Sequence, residues 1–156
     1  MSKMIEVRLV QLSCVTQTES DGDEIYFLTS VNAPSFKNTI QERTPKGTDF
    51  IPMKNGSVIQ NYEHNLFYGE SEKEMQITVI LMEMDMVSLV NNNISIISKW
   101  IDDTLGAVSI LISSEDNIQV TAGKNSTVSL IEGNQYKSTF NGSKGNYEAT
   151  FEITLK

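Results

Sequence analysis

The chain has 156 residues, 39% of them hydrophobic and 21% charged, with a formal net charge of −8 and one cysteine. That length suits a single domain (1–156) with a real core. The negative charge argues against nucleic acid, whose phosphates need a Lys/Arg surface, and against direct attraction to an anionic membrane. Charged residues interrupt Met1–Arg8 where a signal peptide needs an apolar run, and no stretch of about 20 apolar residues is present to span a bilayer. Cytoplasmic residence and leaderless export both fit. A lone Cys14 cannot form an internal disulfide, and its place in an alternating run marks it as a small core hydrophobe.

Taken in order, Ile5, Val7 and Leu9 alternate, and the phase then changes to Val10, Leu12 and Cys14. A period of two predicts a first strand over Met4–Gln17, and the phase change predicts a bulge near Leu9-Val10. After the acidic turn Glu19-Ser20-Asp21-Gly22-Asp23-Glu24, residues Glu24–Val31 read as a largely buried strand. Asn32–Gly56 holds all three prolines and reads as a long loop with at most one short strand. Ser57–Ile59 and Leu66–Tyr68 read as brief strands around His64, the only histidine. Without a second histidine the usual zinc ligands are missing, and histidine-dependent catalysis has little to work with.

Met75, Ile77, Val79 and Leu81 alternate as a central strand. Beyond it Val90, Ile94, Ile97 and Ile101 recur at helical spacing, with Leu89, Ile96 and Trp100 widening the stripe, which predicts an α-helix over about 88–100. That helix either covers an open end of the fold or lays Trp100 against a membrane interface. Met82, Met84 and Met86 alternate along one face, as core or as an adaptable contact surface. The rest is strand and turn: Ala107–Ile112, Asn117–Ala122, Thr127–Ile131, Gln135–Phe140 and Tyr147–Leu155, punctuated by glycines. The expected fold is all-β, an antiparallel β-sandwich of about eight strands with one inserted helix.

Two acidic groups stand at strand ends: Glu19, Asp21, Asp23 and Glu24 on one loop, and Glu83, Asp85, Asp102 and Asp103 on the other. Calcium takes six to eight hard oxygen ligands, and such loops can supply them. Neither group has the spacing of an EF-hand. The competing reading is that these are ordinary solvated carboxylates.

Asp23-Glu24-Ile25-Tyr26-Phe27 after an acidic residue and a glycine, Glu83-Met84-Asp85 after a central strand, and Asp103-Thr104-Leu105-Gly106 together resemble motifs of C-two domains, the calcium-dependent lipid-binding β-sandwiches. The resemblance covers roughly residues 5–31 and 75–112. It implies calcium as cofactor, held by Asp23, Glu83, Asp85 and Asp103, with Asp21 as a weaker candidate. The sequence departs from that family in Glu24 where proline is usual, in Glu83 for the first aspartate, in a much longer third loop and in lacking a polybasic strand.

Three functions compete. The first is a non-enzymatic, calcium-linked binding module that recognises a lipid headgroup or a protein through its acidic loops. The second is a structural or self-assembling subunit, a possible homo-oligomer, that pairs through exposed edge strands. The third, a hydrolase with paired carboxylates, lacks any sign of a cleft. The sequence favours the first over the second.

Overall fold

The computed structural model describes residues 3–90, 96–142 and 145–156, with only the backbone described over 85–90 and 96–103. Its described residues form twelve strands and no helix: β1 (Met4–Thr16), β2 (Asp23–Asn32), β3 (Ile40–Thr44), β4 (Ile51–Met53), β5 (Val58–Gln60), β6 (Phe67–Glu70), β7 (Met75–Val90), β8 (Ile96–Ile112), β9 (Ile118–Ala122), β10 (Ser126–Glu132), β11 (Gln135–Asn141) and β12 (Asn146–Leu155). They make two antiparallel sheets. The first runs β10-β11-β12-β1-β5, with β6 sharing the outer edge of β1, and the second runs β3-β2-β7-β8-β9, with β4 sharing the outer edge of β2.

An all-β sandwich is what the alternation predicted, but the strand count is twelve rather than about eight. The excess is β3, β4, β5 and β6, each five residues or fewer. β5 and β6 fall on the brief strands read at Ser57–Ile59 and Leu66–Tyr68, whereas β3 and β4 lie in the stretch read as a long loop, too short to show alternation and present because β2 offers them an edge to pair with.

The bulge in β1 falls where the phase change placed it. Leu9 pairs with Phe151 and Gln11 with Thr150, leaving Val10 as the extra residue. The shift lets Ile5, Val7 and Leu9 face the interior before it and Leu12 and Cys14 after it. Buried residues of both sheets form one cluster, with Phe151 edge-on to both Phe27 and Phe140 at 6.4 Å.

The predicted helix at 88–100 is the largest correction. Residues 88–90 belong to β7 and 96–100 to β8, paired from Ser88↔Ser98 to Val90↔Ile96; residues 91–95 lie outside the described residues. The 3.6-residue spacing of apolar positions arose because the pattern crosses from one arm of a hairpin to the other. Val and Ile, stiff at χ1, are better suited to the strands they occupy.

A second bulge lies in β8. Leu81 pairs with Gly106 and Met82 with Thr104, so that Leu105 is the extra residue, and it is buried in the core. At Gly106 a Cβ would meet a Phe140 ring carbon at 2.3 Å and Ser126 Oγ at 2.5 Å. The two sheets therefore approach each other through a position that only glycine fits. No helix of the described residues is long and apolar enough to cross a membrane.

Candidate functional site

The acidic turn is built around Asp23, the first residue of β2 and only 2% exposed. Gly22, at φ +105°, turns the chain so that the Asp23 carboxylate folds back under the loop. It accepts hydrogen bonds from Thr18 N at 2.8 and 2.9 Å, Thr18 Oγ1 at 2.7 Å, Glu19 N at 3.1 Å and the Tyr147 hydroxyl at 2.5 Å. Four donors occupy the lone pairs a cation would need. Burial, and then the bond to Asp23, push the Tyr147 hydroxyl far above its ordinary range. Beside it the Cys14 thiol is raised by burial, so it is no ready nucleophile. Asp23 thus pins the β1–β2 loop to β12, while Asp21 is exposed on the turn.

Glu83 lies across from Ile25 in β2 and Asp103 in β8, on the face of the sheet that carries Ile77, Val79 and Leu81, and is 1% exposed. The backbone register places Asp102 opposite Met84 and Ile101 opposite Asp85. The side chains of Asp85 and Asp103 lie outside the described residues. Of the five sequence-derived candidates, the fold therefore brings Glu83 and Asp103 to one register position. It keeps Asp23 on its own loop and leaves Asp21 in solvent. Among the described residues no three His, Cys, Asp or Glu side chains are grouped to hold a metal ion.

On the opposite face of the same sheet, Tyr26, Met82 and Met84 form a separate buried cluster. Met82 and Met84 are buried, outside the main core, and the side chain of Met86 lies outside the described residues. Arg43 of β3 covers them: its guanidinium lies 4.0 Å from the centre of the Tyr26 ring and 3.1 Å from Met84 Sδ, and it donates to the carbonyls of Pro45 and Asp49. The same loop borders a groove of about 820 Å³ between Arg43–Asp49 and Glu63–Tyr68. His64 stands at its rim, 3.5 Å from Glu63 and edge-on to Tyr62. Burial, then Glu63 and Asp49, raise the Tyr62 hydroxyl. Sequence reading missed this groove, because its walls come from segments with no shared pattern.

The feature with the clearest consequence is the outer half of the β7–β8 hairpin. β2 pairs with β7 only as far as Ile25↔Glu83, and β9 pairs with β8 only from Val108 onward. Yet β7 and β8 go on pairing with each other out to Val90↔Ile96. Seven residues at about 3.3 Å each continue as a two-stranded ribbon roughly 23 Å long. Along 84–90 and 96–104 the outer edges have no strand beside them among the described residues. The sequence there, Met84-Asp85-Met86-Val87-Ser88-Leu89-Val90 and Ile96-Ile97-Ser98-Lys99-Trp100-Ile101-Asp102-Asp103-Thr104, contains no proline or glycine.

Comparison with protein-family models and with curated proteins finds no match to this chain.

Proposed function

We propose that the chain is a non-enzymatic binding module that engages a protein partner by strand addition to the free edges of the β7–β8 ribbon. The observation that carries this reading is the ladder from Met84↔Asp102 to Val90↔Ile96, which continues where no neighbouring strand remains. An isolated two-stranded hairpin is marginal in water, and an unpaired edge without proline or glycine is a template for another strand. Strand addition supplies the missing neighbours by main-chain hydrogen bonds. The net charge of −8 favours a protein over nucleic acid or an anionic lipid surface.

A photo-cross-linking residue at Ser98, in cells that express the chain, tests this. The expected result is one discrete protein adduct that co-expression of the unmodified chain diminishes and co-expression of a chain with residues 85–101 replaced by Asn-Gly does not. A diffuse smear, or no adduct, would overturn the reading.

A calcium-linked form of the module, on a C-two-like sandwich, draws support from one observation, the register that sets Glu83 opposite Asp103 with Asp85 two residues along β7. Calcium among them would bridge the acidic end to an anionic partner such as a lipid headgroup or an acidic protein segment. A ligand bound only by the folded chain at one hundred times its dissociation constant stabilises it by about 2.7 kcal/mol. Calcium, and not magnesium, is expected to raise the unfolding midpoint by several degrees over chelator, and the shift to vanish in Asp85→Asn/Asp103→Asn. An unchanged midpoint would rule calcium out.

A further inference from the structure

We propose that the partner strand is a second copy of this chain, the two β8 edges pairing antiparallel about a two-fold axis at Ile101. This rests on the ribbon reading above and names its partner.

The register follows from pairing geometry and charge. In an antiparallel ladder, hydrogen-bonded and non-hydrogen-bonded pairs alternate, so a two-fold axis between identical strands must pass through a residue paired with its own copy. Five residues around the charged part of the free edge can take that place. Centring on Lys99, Asp102 or Asp103 sets a charge against itself. Centring on Trp100 sets Lys99 against Ile101 and Asp102 against Ser98, with no charge matched. Centring on Ile101 sets Lys99 of each copy at the position opposite Asp103 of the other, twice by symmetry, with Trp100 opposite Asp102, and the ladder over the free edge then runs from Ser98 to Thr104. Opposite charges across a ladder stabilise it, and like charges destabilise it.

A second observation points to the same register. Within one chain Glu83 stands opposite Asp103, two acidic residues at one ladder position. In the paired sheet, β7-β8 of one copy and β8-β7 of the other, that row becomes Glu83, Asp103, then Lys99 and Val87 of the second copy. A lysine is thereby brought into the row of the two acidic residues. Lys99 is the only Lys or Arg between Lys73 and Lys124. The second copy is thus the partner whose charge pattern this edge already matches.

Sedimentation of the purified full chain in chelator tests this, so that calcium plays no part. The wild type is expected to form dimers. Lys99→Glu and Asp103→Lys are each expected to weaken dimerisation by about tenfold or more, since each places like charges opposite at two positions. The double variant Lys99→Glu/Asp103→Lys restores the opposite pairs and is expected to recover the dimer, with circular dichroism confirming that all four proteins are folded. A wild type that stays monomeric into the millimolar range, or a double variant no better than the singles, overturns the proposal. The two failures are separable. A discrete Ser98 adduct to a different protein, with a monomeric chain, leaves the ribbon as the binding element and removes self-pairing. Absence of any adduct removes both.

Discussion

The inner and outer halves of the β7–β8 hairpin share two continuous strands and a similar supply of Ile, Val, Leu and Met, but their surroundings differ. From Met75 to Glu83 and from Val108 to Ile112 the strands lie between β2 and β9, and their alternate side chains meet the other sheet. Past Glu83 the ladder loses β2, and past Val108 toward the tip it loses β9. Hydrophobic strands alone do not make a sheet interior; neighbours on both edges and a second layer do. The half that lacks them is where another chain can be added.

The comparison breaks most sharply in the core behind the inner half. Phe151 is 1% exposed and packs edge-on against both Phe27 and Phe140. Phe151→Ala is expected to cost about 4 kcal/mol, through lost burial plus the cavity it leaves. Denaturant unfolding would show it as a lower midpoint at unchanged slope.

Next in size is the pinned loop. Asp23→Ala removes the acceptor for four donors and is expected to cost about 3 kcal/mol, equally in chelator and in calcium. A loss seen only in calcium would mean that Asp23 serves a metal instead. Tyr147→Phe takes away one of the four donors and is expected to cost about 1 kcal/mol near neutral pH. It also changes the alkaline limb. The folded hydroxyl keeps its proton above the ordinary value of 10.0, so its contribution is intact below that pH and is lost as pH rises past it, because only the unfolded chain ionises. The wild type should therefore lose stability above about pH 10 more steeply than Tyr147→Phe, by at most about 1.4 kcal/mol per pH unit. Equal slopes would show that this tyrosine titrates normally in the fold.

The smallest effect is expected from the outer half itself. Replacing 85–101 by Asn-Gly joins Met84 to Asp102, already a ladder pair, by a turn suited to a hairpin. Monomer stability should change by less than about 1 kcal/mol, since a two-stranded extension without further neighbours adds little to global unfolding. A loss of several kcal/mol would place the ribbon within the folding unit.

The sequence by itself determined the all-β class, most long strands and the β1 bulge, since a period of two and its change of phase record which face of a strand meets the core. It marked the acidic residues as well, but not their fates. Asp23 became a structural acceptor through Thr18 and Glu19 of its own loop together with Tyr147 of β12, and Glu83 is buried because it lies on the face of β7 that carries Ile77, Val79 and Leu81. Tertiary pairing likewise decided what the stretch after Val87 became. Its spacing fits a helix or two strands equally well in one dimension, and β7 and β8 settled it by pairing across the hairpin, a contact between residues that local periodicity does not encode. The short strands β3 and β4 and the free edges of the ribbon have the same origin, because an edge exists only once the sheet around it has been assembled.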